Sequence, residues 1–124
     1  MDLDNPAIKL CIQGTRAEFE GRKKDARRLY EQAWQSAGDD YEACIAAHYV
    51  ARFQKDPEAI LRWNQEALAR ADASSDERVR DFYPSLYVNL GRAHELLGHT
   101  GQAGHFYRLA AELGLVHQPE EGEP

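Results

Sequence analysis

Read for its apolar positions, the chain divides into segments whose large side chains return every three or four residues, the spacing that keeps one stripe of an α-helix inward. Ala26, Leu29, Tyr30, Ala33 and Trp34 mark such a stripe and predict a helix over about 22–37. Before it, Asn5 can cap a helix over about 6–20, with Pro6 in its first turn and Gly21 as its stop. Gly38 ends the second segment, and Asp39-Asp40 caps a third over about 40–54, rich in alanine and carrying Tyr41, Cys44, Ile45, His48, Tyr49 and Phe53. Asp56-Pro57-Glu58 opens a fourth, with Asp56 as cap and Ile60, Leu61, Trp63, Ala67 and Leu68 on its core face. Ser74-Ser-Asp-Glu77 reads as a capping box for a long fifth helix over about 75–97. Pro84 must bend or break that helix, and the rival reading is a loop through Asp81 with a helix starting at Pro84. After a turn at 98–101, a sixth helix runs to about Leu113 and ends at Gly114.

The segments are not independent. Gly91, Gly98, Ala103, Tyr107 and Ala110 lie 77 positions after Gly14, Gly21, Ala26, Tyr30 and Ala33. Ala59 and Trp63 repeat the Ala-x3-aromatic pair in between, and Cys11 and Cys44 are 33 apart. A bulky residue, Leu-Gly, a ring, a Gly, and then Ala and an aromatic four apart is the order of a tetratricopeptide repeat. The chain resembles that family over roughly 7–117. The resemblance implies an all-α superhelix of three helical hairpins over 1–117, with no shared chemistry and a role in holding other proteins or peptides. Ala59 and Ala103 are 44 apart rather than 33, so about ten residues have been added before the third repeat. Small residues at Ala26, Ala59 and Ala103 are expected where the two helices of a hairpin approach most closely.

Composition narrows the function classes. The hydrophobic share of 43% and the charged share of 29% suit a folded globular domain, and no apolar run approaches the length of a membrane span. The start, Met1-Asp-Leu-Asp, lacks the order of a secretion signal, which predicts a cytoplasmic protein with no membrane partner. Of the net charge of −6, half is carried by Glu120, Glu121 and Glu123 in an acidic segment, 118–124, expected to be disordered. The acidic body argues against nucleic acid as a partner; Arg16, Arg22, Lys23, Lys24, Arg27 and Arg28 read as a solvated helix start. Cys11 and Cys44 on neighbouring helices, about 8–10 Å apart, exceed the roughly 7 Å Cα reach of a disulfide and should be free thiols.

Candidate chemistry is thin. His94, His99 and His105 lack the three- or four-residue spacing of a helical metal pair, and His94 occupies the repeat's ring position, where packing explains it. Cys44 and His48 sit one turn apart without an orienting carboxylate or oxyanion turn, so they read as packing residues. Gly98, Gly101 and Gly104 follow a helix and lack the Lys-Ser/Thr pair of a phosphate loop. No enzyme activity, cofactor or metal is expected.

The resemblance places the binding surface on the first helix of each hairpin, whose inner positions form a concave groove. Carried onto this sequence, it offers Phe19, Tyr41, His48, Arg52, Ser85, Asn89 and Arg92 as groove residues for a peptide or protein ligand, with Ile8, Cys11, Thr15, Glu18, Cys44, Val88, Glu95 and Leu96 at further inner positions. Tyr41 and Phe19 would supply apolar contact. Asn89 matches an Asn that family members use to hold a ligand backbone, and Arg52 and Arg92 are planar forks suited to carboxylates. Cys11 and Thr15 stand where the chaperone-binding members carry Lys and Asn, which departs from their two-carboxylate clamp. The other reading of Asn89 and Arg92 is that they bond neighbouring helices or solvent. A possible homodimer through the last helix, or a role as accessory subunit of an enzyme complex, are the alternatives to peptide binding.

Overall fold

The computed structural model describes residues 4–114. Six α-helices follow one another: α1 (Pro6–Phe19), α2 (Lys23–Ser36), α3 (Asp40–Ala51), α4 (Pro57–Ala73), α5 (Tyr83–Leu96) and α6 (Thr100–Glu112), with a 3-10 helix at Glu77–Phe82 before α5. There is no strand among the described residues. The helices pair as hairpins, α1 with α2, α3 with α4 and α5 with α6, and the hairpins pack in chain order, α2 on α3 and α4 on α5. The all-α fold of three hairpins is therefore as the periodicity predicts. The acidic segment 118–124 lies outside the described residues.

The ends of the helices follow the residues that mark them. The Asn5 side chain accepts from the amides of Ala7 and Ile8 at 2.9 and 3.1 Å, satisfying donors that the first turn of α1 leaves free. Its own amide donates to Glu42 at 2.7 Å, which ties the start of α1 to the start of α3. Asp39 accepts from the Glu42 amide, while Glu42 reaches back to the amide of Gly38. Gly21, Gly98 and Gly114 all have positive φ, a conformation open to glycine at little cost. At the first two of these turns the following residue's amide closes back on the helix, Arg22 on Ala17 and His99 on His94, both at 2.8 Å.

Two boundary expectations are corrected. Asp56 precedes α4, but its side chain accepts no capping hydrogen bond. The predicted helix over 75–97 does not form as one element, and Ser74 and Glu77 do not make a capping box. Ser74 instead accepts from the amide of Asp76, and Asp76 accepts from that of Arg78, opening the 3-10 helix. Pro84 is the reason: it has no amide to donate and its ring clashes with the carbonyl four residues back, so it is tolerated only in a first turn. The chain meets this by starting α5 at Tyr83, one residue ahead of Pro84. The rival reading, a helix beginning at Pro84, is within a residue of this, with a 3-10 helix in place of the loop.

Small residues hold each hairpin closed. Ala26, Ala59 and Ala103 are all buried, and Ala33 and Ala110 are completely so. Gly14 lies against the ring of Tyr30, where a methyl group would sit 2.5 Å from the ring edge, and Gly91 meets Tyr107 in the same way. The rings in turn join hairpins: Tyr30 stacks on Tyr49 at 4.8 Å between centroids, and Trp34 meets Trp63 edge to face at 5.1 Å. Helices lie on both sides of α3, which is why its alanines, Cys44, Ile45 and Val50 are all buried.

The added residues alter the spacing of the third hairpin. α4 has 17 residues against 14 in α2, and the 3-10 helix follows it. α1 packs directly on α3, whereas outside its own hairpin α5 is carried chiefly by α4. A cleft lies between α3 and α5, with α4 as its floor.

Candidate functional site

The first helices of the hairpins share one face, and three clefts open along it. Between α1 and α3 an apolar bay of about 470 Å³ is lined by Cys11, Ile12, Thr15, Phe19 and Tyr49. A smaller hollow of about 160 Å³ lies between α3 and the start of α5, among Cys44, His48, Phe82, Ser85 and Leu86. The third, about 430 Å³, is the cleft over α4, lined by His48, Arg52, Gln54, Asn64, Asn89 and Arg92 with Ile60 and Leu96.

Six of the seven residues expected in the groove line these clefts. Phe19 stands at the apolar bay with 94% of its surface exposed, and Ser85 lines the middle hollow. His48, Arg52, Asn89 and Arg92 meet in the third cleft, although His48 and Asn89 are 41 positions apart. Tyr41 is not among them. It is 3% exposed, stacked on Phe82 with the Arg78 guanidinium over its ring at 4.1 Å, and so has no surface to offer a ligand. The 3-10 helix brings both covering residues, and that element is not legible as such in the sequence.

Leu96 and Asn64 complete the site. Leu96 is 61% exposed and lies 77 positions after Phe19, so the same repeat position presents Phe19, Arg52 and Leu96 at the C-terminal ends of the three first helices. That register was available in the sequence. Asn64 was not, because it belongs to a second helix, which reaches this face only where the cleft opens.

Polar contacts set the charge of the face. Tyr30 carries its hydroxyl out of the core to Glu18, at 2.9 Å, and Glu18 accepts from Arg52 at 2.6 Å. The third hairpin repeats the first of these contacts, since the Tyr107 hydroxyl donates to Glu95. Arg92 forms no ion pair among the described residues. The Asn89 amide donates to Nδ1 of His48 at 3.3 Å, which leaves the hydrogen of the neutral ring on Nε2. Burial, and next the charge of Arg52, hold His48 below its usual pKa, so the ring is neutral at pH 7. Two guanidinium groups, an imidazole and three carboxamides thus share one cleft.

Cys11 and Cys44 are free thiols, as their spacing predicts, and both are buried. Burial pushes Cys11 up to about 12 and Cys44 up to about 11, the latter helped by Asp72, so neither presents a thiolate near neutral pH. Part of the basic cluster is compensated locally: Arg22 pairs with Glu20 and Asp25, Arg28 with Asp25 and Arg27 with Glu31. His94 and His99 are brought together at 3.0 Å between Nδ1 atoms because Gly98 turns the chain back between them. His105 packs against Phe106 instead, and no group of three or more metal-ligating side chains is found among the described residues. None of the described helices is long and apolar enough to cross a membrane. No protein-family model, curated protein or solved structure matches the chain, whose six paired helices are consistent with helical hairpin repeats.

Proposed function

We propose that this chain is a tetratricopeptide-like interaction module, without catalysis of its own, that holds a segment of another protein along the face of α1, α3 and α5. The observation that carries this reading is the row Phe19, Arg52 and Leu96: a phenyl ring 94% exposed and a leucine 61% exposed flank a guanidinium at one repeat position, beside open clefts. Large apolar side chains so exposed at the mouths of clefts suit contact with a partner better than contact with water. Apolar contact falls to Phe19 and Leu96, and polar ends of the segment are fixed by Arg52, Arg92, Asn89 and His48. Replacing Arg52 and Arg92 together by Glu should abolish capture of the partner while helicity stays unchanged, since both side chains are exposed. Full-strength capture by the double variant, measured by pull-down and mass spectrometry from the source organism's extract, would refute the groove.

The second reading is self-association. Leu113 at the end of α6 is 54% exposed, with no following hairpin among the described residues to cover it. Light scattering separates the two, because a mass that stays monomeric across concentrations removes self-association.

A further inference from the structure

The cleft between α3 and α5 is more selective than the rest of the face, and its floor says why. Asn64 is only 5% exposed and yet lines the cleft. Its amide nitrogen donates to the Ile60 carbonyl at 2.9 Å, and that assignment is fixed because a carbonyl can only accept. The amide oxygen has no partner among the described residues. A buried acceptor left without a donor carries a desolvation cost that a ligand donor would remove. Above this floor stand the His48 ring and, at the rim, the exposed Arg92, which has no ion pair among the described residues.

Resting on the groove reading, we infer that this cleft selects partner segments in which an Asn or Gln side chain is lowered onto Asn64 while a neighbouring Asp or Glu reaches Arg92. A carboxamide is the group that fits the floor, since its N–H donates to Oδ1 of Asn64 and its oxygen accepts from Nε2–H of His48. A lysine or arginine could also donate to Asn64, but it would carry its charge into a site already holding Arg52 and Arg92. A carboxylate at the floor would face the Asn64 oxygen and has no donor to give it. At the rim the order reverses, because Arg92 and the outer N–H groups of Arg52 favour an anion.

The probe is a random dodecapeptide library displayed on phage and selected against the immobilised chain, with enriched peptides resynthesised for fluorescence anisotropy. Enriched peptides should share an Asn or Gln beside an Asp or Glu. Changing that carboxamide to Leu, or that carboxylate to its amide, should each weaken binding by about tenfold or more. In Asn64→Leu the carboxamide and Leu peptides should bind alike, and in Arg92→Gln the carboxylate and amide peptides should bind alike. Peptides that bind the wild-type chain and keep their affinity and preferences in both variants would overturn the cleft assignment while leaving the groove reading intact. A library that enriches nothing overturns both. If Asn64→Leu does not fold by circular dichroism, the exposed Arg92→Gln decides: an undiminished preference for the carboxylate there refutes the inference.

Discussion

Two glycines show how much can hang on a missing methyl group. Gly14 and Gly91 each let a tyrosine ring lie flat on the neighbouring helix, and an added Cβ would meet ring carbons well inside contact distance. Both rings are held at their far ends, Tyr30 by Thr15 and Glu18 and Tyr107 by Glu95, so neither can swing away freely. Gly14→Ala and Gly91→Ala should therefore each destabilise the fold by about 1–3 kcal/mol, outweighing the gain in helix propensity. Urea unfolding followed by circular dichroism checks this. The second hairpin carries Ala47 and Trp63 at the corresponding positions, so the rule is tuned to each ring. The two thiols give a second residue-level expectation. Raised pKa values and burial should leave both silent to a thiol-reactive dye in the native chain, and both should react on denaturation. Rapid labelling of either under native conditions would contradict the packing described.

Among the elements, α1, α2, α3 and α6 were legible nearly to their ends, because caps, glycines and periodic apolar residues agree there. The segment between α4 and α5 was not. Its Ser-x-x-Glu pattern imitates a capping box, while Asp76 and Pro84 impose a different local solution, and a pattern alone does not say which set of hydrogen bonds wins. Pro84 belongs in a first turn, where no helical amide is lost. Replacing it by Ala should then change stability by no more than about 1 kcal/mol, mostly through the unfolded chain. Proline at Ala93, in the buried middle of α5, should cost about 3 kcal/mol or more. Comparable losses from the two changes would mean that α5 begins elsewhere. The candidate site was legible in the same uneven way. First-helix positions follow from the repeat register, whereas the covering of Tyr41 and the emergence of Asn64 both depend on where the added residues place α5.

For the molecule as a whole, pH acts through histidines held neutral by the fold. His48 is depressed by burial and Arg52, and His94 by burial and His99. The unfolded chain binds these protons more readily, so the stability they contribute is complete above the ordinary histidine value of about 6.5. It is lost as pH falls below that value through the depressed ones. The melting temperature should drop between pH 7.5 and pH 5, and His48→Gln should drop less over the same range. An identical fall in both would remove His48 from the account.

The outer hairpins share the glycine and tyrosine contact, the turn glycine and the tyrosine to glutamate hydrogen bond, while the middle one differs at each of these. Substitutions at the accessible cleft positions of that middle hairpin, Arg52, Gln54 and Ile60, can retune what the molecule grips without touching the bookends, so the chain is a natural frame for laboratory evolution of new ligands in which only those positions are randomised.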